Sequence, residues 1–263
     1  MKRRFWSDLW RYRELFLVLA WRDVSVRYKQ ALIGVLWAAL RPLFTIIVFT
    51  VIFGRLARLP GEVGVPYALL VFSGVLSWSL FSSAIADASN SLVGNSHLIS
   101  KVYFPLAIVP ASSVFVSLID YLISLLILPG LMAWFEFVPG WQVLLLPFFA
   151  FLAAAAALGP GLLLASLTVK YRDFRHIVSV VLQFGILVSP VGFSSSVVPE
   201  RWRPIYSLNP LVGIIDGSRW CIGGGRSAFP WESVAMACAV ILLLLWFGIS
   251  QFRKRENSFV DVI

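Results

Sequence analysis

The sequence predicts an all-α integral membrane protein. It should have six transmembrane helices, an N-terminal amphipathic interfacial helix, and short re-entrant helices between spans five and six. Three observations lead there. The 263 residues are 59% hydrophobic and only 13% charged, with a mean hydropathy of +0.86, so polar groups cannot cover the apolar surface. A bilayer core of roughly 30 Å needs about 20 apolar residues per helix, and the chain supplies several such runs. Finally, WRDVSVRYKQALIGVLWAALRPLFTIIVFTVIF, from Trp21 to Phe53, joins a basic segment to a long apolar one without a linker. Such continuity suits a protein that passes force from an interfacial helix into a spanning one.

Residues 1–33 form the interfacial segment, 34–252 the transmembrane domain and 253–263 a tail. On a helical wheel Phe5, Trp6, Leu9, Trp10, Tyr12, Phe16, Leu17, Leu19 and Ala20 share one face. Arg4, Ser7, Asp8, Arg11, Glu14, Arg22 and Ser25 take the other, with Leu15 and Val18 as exceptions. Spans are expected at about 34–53, 67–90, 105–135, 142–169, 176–197 and 232–252. The third and fourth exceed a span's need, and tilt or a break at Pro129-Gly130 absorbs the excess. In the fifth, Ser179, Gln183, Ser189 and Ser194 interrupt the apolar run, and Pro190 and Gly192 break its regularity. Such helices line pathways or serve close packing. Between spans five and six, Asn209-Pro210 reads as an N-cap with proline at the first helical position, and Gly223-Gly224-Gly225 as the stop. This stretch either dips into the outer face or runs over it as a loop.

Lysine and arginine set the orientation. Of 22 such residues, fifteen fall with both termini and the loops after spans two and four. Six (Arg55, Arg58, Arg201, Arg203, Arg219, Arg226) fall opposite, and Arg41 lies inside a span. Both termini are therefore expected in the cytoplasm. The net charge of +9 is explained by orientation and anionic lipid headgroups, with no nucleic acid partner. No cleavable signal is expected, because residues 1–29 are charged throughout. No Cys221–Cys238 disulfide is expected either.

No phosphate-binding loop, nucleophile elbow, HExxH or CxxC occurs, and His97 and His176 lie in separate loops. No catalytic residue, metal site or cofactor is expected on this chain. Charges inside spans are costly and mark function. Arg41 lies seven residues past Gly34, and Asp87 seven before Gly94, a depth of roughly 10 Å for each. Either they approach one another, or Arg41 snorkels to headgroups and Asp87 sits in water. Asp120, deeper, must face protein or a cavity. Aromatics such as Trp37, Trp78 and Phe81 fit an interfacial belt, and rings of this kind can also stack on sugars. The loop NSLVGNSHLISKVYFP (90–105) is too apolar to be solvated alone, which favours a short helix docking into a soluble partner.

Five blocks in order carry a resemblance: WRDVSVRYKQALIGVLWAALRPL, NSLVGNSHLISKVYFPLAIVPASSV, KYRDFRHIVSVVLQF, SPVGF and VPERWRPIYSLNPLVGIIDGSRW. Together they resemble the ABC-2 type permeases that export polysaccharides. The nearest look is to the Wzm subunits of O-antigen exporters, with capsule (KpsM) and teichoic acid (TagG) permeases as relatives. The resemblance implies a homodimeric pore driven by two copies of a separate ATPase, which carries the ATP and magnesium. It implies a glycan on undecaprenyl pyrophosphate entering between spans one and five. It places ATPase coupling on the interfacial helix and the segment 94–103, including Trp21, Arg22, Arg27, Tyr28, Asn95, His97, Leu98, Lys101 and Tyr103. The substrate path would use Arg41, Trp37, Phe44, Trp78, Phe81, Gln183, Phe184 and Ser189. Gate helices over 199–222 would use Pro199, Trp202, Tyr206, Asn209, Pro210, Asp216 and Arg219. Arg41 departs from the family, where many members carry an uncharged residue before the proline. It either binds the pyrophosphate or serves packing.

Overall fold

The computed structural model describes residues 7, 10–29, 36–59, 61 and 64–256, among which there are helices, turns and irregular segments but no strand. Phe5, Trp6 and Leu9 of the expected apolar face, Arg4 and Asp8 of the polar one, the reference point Gly34, and the tail beyond Glu256 lie outside these residues. The elements are α1 (Arg13–Lys29), α2 (Leu36–Phe49), α3 (Tyr67–Gly94), α4 (Ser96–Ile99), α5 (Ile108–Leu125), α6 (Ile127–Trp134), α7 (Leu146–Lys170), α8 (Phe174–Val188), α9 (Arg203–Tyr206), α10 (Pro210–Ile222) and α11 (Trp231–Arg255). Five of the helical runs are long and apolar enough to cross a bilayer: Leu36–Leu56, Tyr67–Gly94, Ile108–Trp134, Trp141–Lys170 and Trp231–Arg255.

Helix α2 carries Pro42 in its interior, which cannot donate to the carbonyl of Ala38. That carbonyl instead accepts from the Ser124 hydroxyl of α5 at 2.7 Å, so the third span repairs the defect in the first. Beyond Phe49 the helix widens into a π-helical stretch, Thr50–Leu56, which nothing in the sequence had signalled. The break expected at Pro129-Gly130 falls instead at Leu126, between α5 and α6. Pro129 still causes it, because the proline lacks the donor that the carbonyl one turn earlier would need.

The expected fifth span, 176–197, is corrected at both ends. Helix α8 starts at Phe174 and stops at Val188, which at 15 residues gives roughly 22 Å, short of a bilayer core. Ser189 precedes Pro190 and is extended, with φ −84° and ψ 151°, because the proline ring disfavours helical geometry in the residue before it. The Asn209-Pro210 reading holds. The Asn209 side chain accepts from the Leu211 N–H, Pro210 opens α10, and the helix ends before Gly223. Gly224 and Gly225 follow at φ +70° and +69°, a backbone conformation that glycine adopts freely. Helix α10 is no surface loop. Leu211, Val212, Ile214, Ile215, Cys221 and Ile222 are all buried.

Helix α3 is the axis of the bundle, with α2, α5, α7, α8 and α10 packed around it. Small residues permit close approach elsewhere. A Cβ built on Gly248 of α11 would sit 2.1 Å from the Gly159 carbonyl oxygen of α7, so only glycine fits that crossing. At one end of the bundle a second core joins Leu19 of α1, Leu92 of α3, Ile99 of α4, Phe104 and Leu106 of the following loop, Leu162 of α7 and Phe252 of α11. The N-terminal helix, the loop after the second span and the ends of α7 and α11 therefore share one end of the bundle. The interfacial helix buries Leu19 and Ala20, with Tyr12, Leu15 and Phe16 packed beside them. That stripe differs from the expected face. Leu15, an expected exception, lies inside, whereas Leu17 and Trp10 are exposed.

Candidate functional site: a charged cavity beside the interfacial helix

A cavity of about 600 Å³ opens among α1, α2, α3 and α5, with Leu182 of α8 at its edge. Its apolar wall includes Trp37, Pro42, Leu76, Trp78 and Tyr121, and its charged residues are Arg27, Arg41, Asp87 and Asp120. Arg27 ends its helix between two carboxylates. One guanidinium nitrogen donates to Asp87 of α3 at 2.6 Å and the other to Asp120 of α5. Tyr28 donates its hydroxyl to the second oxygen of Asp120, and Ser117 reaches Asp87 at 3.5 Å. Two consecutive residues of α1 thus hold two spans together. Burial alone would lower the pKa of Arg27, but Asp87 and Asp120 outweigh it and hold the group above its ordinary value. Burial, reinforced by Asp120, likewise pushes Tyr28 up. The cluster thus brings one guanidinium, one phenol and two carboxyl groups together, and both carboxyl groups face Arg27.

Of the two alternatives for Arg41 and Asp87, mutual approach or separate solvation, pairing between them is not what the structure shows. Both line the cavity, but Asp87 takes Arg27 as its partner. Among the described residues Arg41 forms no ion pair. Asp120, expected to face protein or a cavity, faces both.

The remaining coupling residues divide. Arg22 donates to Asn95 at 2.6 Å and to its neighbour Asp23, which ties α1 to the turn before α4. Trp21 is 73% and Tyr103 93% exposed. His97 and Lys101 are exposed too, and Leu98 packs against the second core. Arg27 and Tyr28 differ from these in turning inward to the cavity.

Of the expected path residues, Trp37, Arg41 and Trp78 meet at the cavity. Phe81 leans on Trp78 with ring centroids 5.9 Å apart. Phe44 and Phe184 are exposed on the outer flanks of α2 and α8, as is Gln183. Ser189 is the exception: it is buried and accepts from the Asn209 side chain at 3.0 Å, so it tethers α10 instead of facing a path.

At the far end Pro199 opens a short turn through Trp202, which is half exposed, and Tyr206 donates to the Val188 carbonyl at 3.0 Å. Burial, with Asp216 adding to it, raises the Tyr206 phenol above its usual range. Arg219 is buried and donates to the carbonyls of Pro190 and Val191 and to Asp216. Those carbonyls lie just where α8 has unwound, so Arg219 takes the place of the missing helical donors. Ser117, Ser124 and Tyr121 of this site were not foreseen. Their spacing on α5, with Asp120, places a polar stripe inside an otherwise apolar helix, and that stripe was the available signal.

Comparison with known proteins agrees with this architecture. The chain is 29% identical over 265 residues to an O-antigen export system permease protein RfbA of Myxococcus xanthus, with 99% of each chain covered. Two proteins of the same description from Klebsiella pneumoniae are 24% and 26% identical, with 95% of each chain covered. Residues 14–222 match the family described as ABC-2 type transporter. That range takes in the charged cavity, the tether at Ser189 and the capped helix α10. With its span-length apolar helices, this is an all-α, multi-pass membrane protein, and the chain belongs to the ABC-2 type transporter family.

Proposed function

We propose that this chain is the membrane-spanning subunit of an ATP-driven exporter that moves an undecaprenyl-pyrophosphate-linked polysaccharide, of O-antigen type, from cytoplasm to periplasm. The observation that carries this reading is the match to O-antigen export permeases along 95–99% of the chain. Two copies of the chain form the pore, and two copies of a separate ATPase bind the ATP and magnesium. The protein sits in the inner membrane with both termini in the cytoplasm, where its excess of lysine and arginine lies.

In this reading Trp21, Arg22, Asn95, His97, Leu98, Lys101 and Tyr103 face the ATPase, and closure of the ATPase moves α1. Arg27 and Tyr28 carry that movement into the second and third spans through Asp87 and Asp120. The exposed apolar sides of α2 and α8, with Trp37, Phe44 and Phe184, supply the dimer seam and the path of the polymer. Aromatic rings guide a repetitive sugar chain with few sequence-specific hydrogen bonds. The unwound stretch after α8 and the segment 199–222 form the outer gate, held by Arg219 and Asn209. Chemistry at the protein amounts to binding and release of differential contacts in two states.

The test is transport by the purified chain in vesicles loaded with lipid-linked glycan. Export is expected only when the partner ATPase and ATP are both present. Movement of the glycan by this chain alone, in the manner of a channel or secondary transporter, overturns the reading. Efficient export of a capsular or teichoic acid polymer in place of O-antigen would keep the mechanism and change the cargo.

A further inference from the structure

Among the described residues the charges lining the cavity cancel. Arg27 and Arg41 contribute two positive charges, Asp87 and Asp120 two negative ones, so the site as it stands has no net attraction for an anion. The cancellation is uneven in space. Both carboxylates are engaged with Arg27, while Arg41 pairs with no acid among the described residues. Beside these charges stands an apolar wall of Trp37, Leu76, Trp78 and Leu182. A free guanidinium next to an aromatic, apolar wall suits an amphiphile with an anionic head. A second guanidinium becomes accessible only when its carboxylates let go.

We propose that Asp87 and Asp120 set the affinity of this cavity for a prenyl diphosphate headgroup by competing with it for Arg27, so that loading the site breaks the ionic links of α1 to α3 and α5. The proposal rests on the lipid-linked substrate read above and adds the way in which loading is sensed. Phosphate oxygens accept from guanidinium in the same forked geometry that carboxylates use. A diphosphate brings at least as much negative charge as the two acids it displaces, which makes the exchange feasible. Once Arg27 turns to the ligand, the helix loses its ionic links to both spans and keeps the Tyr28–Asp120 and Arg22–Asn95 hydrogen bonds and the apolar contacts around Leu19 and Ala20. The ATPase would then meet a different α1 in the loaded and empty permease. A ligand can shift an equilibrium only through such a difference in contacts between two states.

Calorimetry on the full-length chain in detergent tests this, with farnesyl diphosphate, inorganic pyrophosphate and farnesol as probes. Asp87→Asn and Asp120→Asn should each tighten farnesyl diphosphate binding, by about tenfold for a change near 1.4 kcal/mol. Arg41→Gln should weaken it by a similar factor. Farnesol should respond to none of the three variants, and pyrophosphate, without a chain for the apolar wall, should bind more weakly than the prenyl compound. In parallel, spin labels at Leu17 and Leu126, with Cys221 and Cys238 replaced, should separate or broaden when farnesyl diphosphate is added to the otherwise wild-type chain. Asparagine variants that are monodisperse but bind no tighter overturn the masking, as do labels that stay put. Equal binding of pyrophosphate and farnesyl diphosphate overturns the lipid assignment. If masking fails while vesicles still export with the ATPase, the transport reading stands. If the probes behave as stated but no glycan is exported, the transport reading fails instead.

Discussion

Arg22 and Asn95 are joined by a 2.6 Å hydrogen bond between residues 73 positions apart. The bond links the interfacial helix to the turn before α4, the two segments through which an ATPase would act. They are positioned to move as one body. Arg22→Ala should change stability by less than about 1 kcal/mol, as for an ordinary exposed hydrogen bond. ATP-driven export in vesicles should nonetheless fall several-fold. Unchanged export would mean that the two segments act independently.

The links of Arg27 to Asp87 and Asp120 predict strong coupling within one cluster. Arg27→Gln leaves two acids facing each other and should destabilise the protein by about 1–3 kcal/mol. That is less than for a fully buried pair, because Arg27 and Asp87 are each 35% exposed. In a cycle with Asp120→Asn, the double variant should lose less than the sum of the singles, measured by thermal unfolding in detergent. Additive losses would deny the interaction.

Asn209 has two separable duties. Its oxygen caps α10 through the Leu211 N–H, and its amide donates to Ser189. Asn209→Ala should cost about 1 kcal/mol for the lost cap, with the tether as a further loss. Ser189→Ala keeps the cap and breaks only the tether, so it should be the milder change to the unfolding midpoint. An equal loss in both variants would show that the tether alone matters.

Glu256 follows α11 and accepts from the Leu106 N–H at 3.0 Å. Burial raises its pKa above the ordinary 4.5, with the Leu106 N–H and Arg253 opposing. The folded state therefore holds this proton more tightly than the unfolded one. The stabilising effect is fully present below pH 4.5 and is lost as pH rises through the higher folded value. Glu256→Gln keeps the acceptor and removes the charge. Its unfolding midpoint should gain on that of the wild type as pH rises through this window, and parallel curves would contradict the assignment.

Much of the bundle was legible because apolar runs and end signals act locally. The ends of α3, the buried helix opened by Asn209-Pro210 and the shared end of α1, α7 and α11 all follow from composition or short motifs. Arg27 was legible only as a basic residue on an interfacial helix. Its partners lie 60 and 93 residues away, and choosing between Arg27 and Arg41 for Asp87 requires knowing how three helices pack. Ser189 was misplaced for a related reason. A serine in an apolar run reads equally as a path residue or a tether until Asn209 is found beside it. The early end of α8 was within reach, since Pro190 constrains Ser189 directly, but apolar composition continued past it and masked the break. The π-helical stretch after Phe49 had no local signal at all.

In the proposed mechanism α1 passes the movement of an ATPase into the spans through Arg27. A distance measurement between spin labels at Leu17 and Leu126, in the complete transporter with and without ATP, tests this coupling. A nucleotide-dependent change in this distance is expected, and Arg27→Gln should uncouple it from export. A distance that stays the same while the wild-type complex exports glycan would contradict it.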